Sequence, residues 1–324
     1  MNVFKKTLLC AVMAVGLPVM SASAIAADYP NKPISLVVGF PPGGGADVLA
    51  RTIAPRLAEE LGQPVVVENK PGASGIIATG ATARAPADGY HLYLATPGSL
   101  TILPNLQEVP YDPAKFSAIS LLVTMPNILV TGANSGIESV QDLIAKTKAS
   151  GNGLAYASGG NGTIGQMAGE QFNMLAGIKM MHVPYRGTTP ALTDVMAGIV
   201  PATFSDPSTK NLVEGGKLRA LAVTDTKRSP LFPGVPTMEE AGVPGYKLVN
   251  WYGLIGPEGM PADVVKRLND VLVKVMAEPA VIEKLGNTGG MSATSSTPQE
   301  FADLMASERT KWVDLIKKAN ISLK

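Results

Sequence analysis

The sequence predicts an α/β protein of two lobes with a ligand cleft between them, and three observations carry this. Short apolar runs alternate with amphipathic helical stretches along the chain. Two long strand-like runs, "SLLVTMPNILVTG" (120–132) and "NWYGLIGPEGMP" (250–261), are interrupted or ended by proline and read as crossings between lobes. Two strand-to-helix junctions, "GFPPGGGADV" and "YASGGNGTIGQM", are rich in glycine, where backbone must approach a ligand closely.

The elements follow in order. "MNVFKK", the apolar "TLLCAVMAVGLPVM" and Ala24-Ile25-Ala26 form a basic start, a hydrophobic stretch and a small-residue cleavage site. Residues 1–26 are therefore expected to be a signal peptide. Their removal takes Lys5, Lys6 and the single cysteine, Cys10, and leaves 25 bases against 26 acids. The mature protein is expected to carry neither disulfide nor reactive thiol. "ISLVVGF", "PVVVEN", "YHLYLAT", "GLAYAS", "KMMHVPY", "PATFSD" and "LRALAVT" read as buried strands. "ADVLARTIAPRLAEELG" reads as a helix with Leu49, Ile53, Leu57 and Leu61 on one face and Gly62 beyond its end. The alternation implies largely parallel sheets, with lobe 1 built from 27–125 and 253–324 and lobe 2 from 126–252. The last helix, "TPQEFADLMASERTKWVDLIKKAN", is expected to pack on lobe 1.

Composition narrows the function. Aromatic residues make up 5% of the chain and no basic run is present, so nucleic acid is not an expected partner. Gly160, Gly162 and Gly165 have the G-x-G-x-x-G spacing of a dinucleotide site. That site needs an acid about 20 residues on, after the next strand; "RGTTP" follows "KMMHVPY", with Arg186 where the acid would stand. The first junction lacks the Lys-Ser/Thr of a nucleotide-binding loop. His91 and His182 stand apart from any metal-ligand pattern, and "GASG" lacks the spacing of a nucleophile elbow. No cofactor, metal or catalytic group is expected. Both junctions instead offer helix N-termini, whose free N–H groups suit a carboxylate or phosphate. Thr163 and Gln166 are spaced as a capping box.

"YPNKPISLVVGFPPGGGADVLARTIAPRLAEELGQPVVVENKPGASG" resembles the start of the Bug family, the extracytoplasmic substrate-binding proteins of tripartite tricarboxylate transporters. "APADGYHLYLAT", "HVPYRGTTPALTDVMAG", "GGKLRALAVT", "FPGVPTMEEAGVPGY" and "WYGLIGPEGMP" continue the resemblance over essentially the whole mature chain. The resemblance implies a periplasmic-binding-protein fold of type 2 character and a small organic acid between the lobes. It further implies a monomer in the periplasm that delivers its ligand to membrane permease subunits. A module of the same fold that signals to a membrane sensor kinase needs the same cleft and stays open as an alternative. "GTIGQMAG" and "PATFSDPST" depart from the family's usual wording, so the resemblance does not fix which acid is bound.

The expected carboxylate contacts are Gly43, Gly44, Ser158, Gly159, Gly162 and Thr163. Asp47 is expected either to cap its helix or to meet an amino group of the ligand. Thr96 and Ser99 follow a strand toward the cleft. Tyr185, Arg186, Gly187 and Thr188 start a helix, with Arg186 available either for a second carboxylate or for an ion pair within its lobe. Asp206 closes a lobe-2 strand and is expected to line the cleft or to order its neighbours.

Overall fold

A computed structural model describes residues 29–322; the expected signal peptide and Cys10 lie outside the described residues. Four strands open the first sheet: β1 (Ile34–Val38), β2 (Val65–Asn69), β3 (His91–Ala95) and β4 (Ser117–Pro126). Between them lie α1 (Gly45–Leu61) and α2 (Ile76–Ala83). The chain then passes through Asn127 into a second sheet of β5 (Ile128–Gly132), β6 (Ala155–Ser158), β7 (Met181–Pro184), β8 (Ala202–Ser205) and β9 (Leu218–Val223). Helices α3 (Val140–Ala149), α4 (Ile164–Ala176), α5 (Thr188–Met196) and α6 (Lys210–Glu214) connect these strands. β10 (Val249–Gly256) returns to the first sheet. It is followed by α7 (Ala262–Met276), α8 (Pro279–Gly289), β11 (Ser292–Ala293) and α9 (Pro298–Lys318). The strand orders are β11-β4-β10-β3-β1-β2 and β7-β6-β8-β5-β9.

The amphipathic pattern of α1 is realised in packing: Leu49, Ile53, Leu57 and Leu61 are all buried against β1, α7 and α8. Gly62 ends the helix in the left-handed conformation that glycine adopts without penalty. The expectation of largely parallel sheets is corrected. β1 pairs parallel with β2 and β3, and β6 with β7 and β8. Every pairing made by β4, β5 or β10 is antiparallel. These are the strands that lead into or out of the crossings, where no helix carries the chain back to restart in the parallel sense.

The C-terminal helix also differs from expectation. Phe301 and Met305 pack with Tyr93 and Trp251 on the first sheet, whereas Trp312, Leu315 and Ile316 join the second lobe's core with Phe172 and Tyr246. A helix of 21 residues is about 31 Å long, enough to touch both lobes. Thr297 and Glu300 form a reciprocal capping box that fixes its start. The helix is thus a third link beside the two crossings. Among the described residues, no helix is long and apolar enough to cross a membrane.

Candidate functional site

The cleft between the two sheets holds a cavity of about 120 Å³, and the N-cap residues of three helices line it: Gly44 of α1, Thr163 of α4 and Gly187 of α5. None of the three receives a side-chain cap. The first-turn N–H groups of each helix have no acceptor within the helix. Three positive helix ends therefore converge on one volume, one from the first lobe and two from the second.

At α1, Pro41 and Pro42 stop β1 because they lack an N–H, and Gly43 takes φ +89°. Asp47, in the first turn, folds back beneath this loop. Its carboxylate accepts from the Gly43 N–H (3.0 Å), Asn69 Nδ2 (2.9 Å) and Arg51 Nε (3.0 Å). Asn69 Nδ2 also donates to the Phe40 carbonyl (3.1 Å). Burial would raise the Asp47 pKa, but the Arg51, Gly43 and Asn69 hydrogen bonds outweigh it and hold the carboxyl below its usual range. Asp47 is 4% exposed and stands outside the cavity wall, so it orders the loop that the ligand faces. Gly44 is the N-cap residue, with Asp47 three positions inside.

At α4 the expected capping box does not form. Thr163 Oγ1 donates to the Gly160 carbonyl (2.7 Å), and Gln166 Oε1 accepts from the Gly162 N–H (2.7 Å). A tight turn at Gly160 (φ +135°) and Gly162 (φ +67°) takes both side chains. The α4 cap is left bare, and the Gly162 N–H is spent inside the turn. Gly162 is absent from the cavity wall; a Cβ there would meet Leu103. Ser158, fully buried, braces the same turn. Its Oγ lies 3.2 Å from the Gly160 N, 3.0 Å from the Gly160 O and 2.6 Å from His182 Nε2. Burial pushes the His182 imidazole down to about 4, so it is neutral at pH 7.

Of the expected contacts, Gly44, Thr96, Gly159, Thr163, Gly187, Thr188 and Asp206 come together on the cavity wall. Asp47, Ser99, Ser158 and Gly162 are buried behind it, and Gly43 stands exposed beside it. Ser99 is fully buried with its Oγ 3.3 Å from Tyr93 OH. Tyr185 and Arg186 line an adjoining groove with Gly72, Ala73 and Ser74, and Tyr185 OH donates to Asp194 (2.6 Å).

Sequence reading missed Asn127, Asn250 and Tyr252, which also line the cavity. Asn127 and Asn250 sit in the two crossings, and a chain that crosses a cleft must expose part of its crossing to it. That signal was present in the proline-interrupted runs. The wall keeps two buried polar atoms without a partner among the described residues, Thr96 Oγ1 and Asn127 Oδ1. Such atoms are costly unless something satisfies them. Among the described residues no lysine or arginine lines the cavity, and Asp206 is the one charged side chain on its wall. Among the described residues no cluster of potential metal ligands occurs.

Comparison with known proteins follows the same lines. The family described as "Tripartite tricarboxylate transporter family receptor" matches residues 49–321. The chain is 34% identical over 311 residues to Protein BugT of Bordetella pertussis, with 94% of each chain covered. The structure of R. palustris Rpa4515 with adipate superposes with a TM-score of 0.87 at 35% identity, covering 91% of this chain and 99% of that one. MatC (Rpa3494) from Rhodopseudomonas palustris with bound malate gives 0.82 at 28% identity, covering 89% and 100%. Likeness that runs the length of both partners, in sequence and in fold, settles the matter of kinship: this chain belongs to the Bug family of tripartite tricarboxylate transporter receptors.

Proposed function

We propose that the protein captures a small organic acid in the periplasm and presents it, chemically unchanged, to the permease subunits of a tripartite tricarboxylate transporter. The observation that carries this reading is the convergence of three uncapped helix N-termini on one interlobe cavity. A carboxylate held there accepts backbone N–H bonds from both lobes at once. Each helix end favours an anion by about 0.3–1 kcal/mol, rising in partly buried geometry. No cationic side chain is needed, and among the described residues none lines the cavity.

Adipate and malate in two similar structures support an acid as the ligand class. The same geometry argues for a carboxylate over a dinucleotide at the second glycine turn: the Gly162 N–H is already bonded to Gln166, and Arg186 stands where an acid would read a ribose. Because ligand contacts come from both sides of the cleft, binding favours the closed arrangement of the lobes about the crossings.

A thermal-shift screen of mono- and dicarboxylates against neutral sugars and cations tests the reading. Acids alone should raise the melting temperature; a ligand at ~100 times its Kd adds about 2.7 kcal/mol. Stabilisation by a sugar and by no acid would contradict it.

A further inference from the structure

The cavity wall carries a second chemical demand besides that of its helix ends. Asp206 is 8% exposed and closes β8, with one carboxylate oxygen accepting from the Ser208 N–H (3.0 Å). Its other oxygen has no partner among the described residues. Asn127 is 2% exposed. Its main chain is clamped to Thr224 on both sides, N–H to Thr224 Oγ1 (2.7 Å) and carbonyl from Thr224 N–H (2.9 Å). Its amide nitrogen lies 3.5 Å from the Phe204 carbonyl. That carbonyl fixes the amide's orientation, since the reverse would set two acceptors face to face. Asn127 Oδ1 is therefore a buried acceptor with no donor among the described residues. Ser205 of β8 pairs with Ile128 of β5 in antiparallel register, so Asp206 and Asn127, the next residues on each side, form one acceptor-rich part of the cavity wall.

We propose that Asp206 and Asn127 are specificity residues that select a carboxylate bearing a protonated amino group. The helix N-termini take the carboxylate, and the ammonium donates to the Asp206 carboxylate and Asn127 Oδ1. A plain carboxylate placed against Asp206 meets a like charge and leaves Asn127 Oδ1 unpaired, and both are penalised in a buried site. This inference rests on the carboxylate-receptor reading and refines it.

The test uses matched acids that differ only in the group at C2, titrated calorimetrically at pH 7. The pairs are succinate and aspartate, glutarate and glutamate, adipate and 2-aminoadipate, and propionate and alanine, with malate as the neutral-donor member. The amino member of at least one pair should bind about tenfold or more tightly than its unsubstituted partner, with malate between succinate and aspartate if the four-carbon pair binds. Asp206→Asn, whose side-chain oxygen can still accept from Ser208, should bring the two members of that pair to within about threefold of each other. Should that variant fold poorly, Asn127→Ala keeps both main-chain bonds to Thr224 and should narrow the same ratio. Unsubstituted acids that bind as tightly as their amino partners overturn the selection and leave the receptor reading intact. An amino preference that survives Asp206→Asn overturns the assignment to this residue. Binding of none of these acids overturns the selection; the receptor reading falls only if no acid of the wider screen binds either.

Discussion

Asp47 gives the sharpest handle on how the first loop is built. Replacing it with alanine removes the acceptor for the Gly43 N–H, one of two acceptors for Asn69 Nδ2, and the ion-pair partner of Arg51, which keeps its bond to Asn69 Oδ1. Arg51 is more than half exposed, so that ion pair is screened and contributes little. The cost lies in the Gly43 and Asn69 donors, at about 1 kcal/mol for a neutral hydrogen bond and more for one to a charged acceptor. A loss of about 2–3 kcal/mol is expected in urea denaturation, along with weaker binding of any acid found by the screen, because the loop before α1 loses its brace. Asp47→Asn keeps an acceptor and should recover part of the loss. The sign of the pH dependence follows from the depressed pKa: the Asp47 contribution is complete above the ordinary carboxylate value and disappears as pH falls through the lower folded-state value. The gap in stability between wild type and Asp47→Ala should stay level from pH 8 to about pH 5 and close in stronger acid. An alanine variant as stable as wild type and with unchanged affinity would refute the bracing role.

Three further outcomes follow from the site. Thr96→Val replaces a buried, unpaired hydroxyl with a methyl of similar shape, so melting temperature should hold or rise while acid affinity drops; a loss of stability would mean the hydroxyl has an internal partner. Gly162→Val forces a branched residue into φ +67° and against Leu103, costing about 2–4 kcal/mol by denaturant titration, and it should weaken binding only through the distorted turn. Burial depresses the His182 pKa from 6.5 to about 4, so wild type should lose stability as pH falls through that window, and His182→Asn should flatten this limb of the pH–stability curve.

Much of the fold is legible in the residues themselves. The 3.6-residue spacing of Leu49, Ile53, Leu57 and Leu61 gave α1, and Pro126 marked the first crossing, because these signals are local. The antiparallel pairing of β4, β5 and β10 is not local; it depends on where the returning chain enters each sheet. The double attachment of α9 was missed for a similar reason. Trp312 and Phe301 are both simply apolar positions of one helix, and nothing in their spacing tells that they serve different cores. In the site, glycine spacing located both turns but could not tell a residue that faces the ligand from one that shapes the turn. Gly162 and Ser158 are spent inside their loop, while Thr163 and Gly159 reach the cavity. Asn127 and Asn250 carry no motif and became visible only once both crossings were seen to wall the same space.

The most direct measurement is a crystal structure with the tightest-binding acid from the screen. The account places a carboxylate oxygen within about 3.0 Å of main-chain nitrogens in the first turn of α1 and in that of α4 or α5. Lobe-to-lobe bridging by one carboxylate would then be seen atom by atom. An acid held instead by Arg186 in the adjoining groove, with all three helix ends facing water, would contradict it.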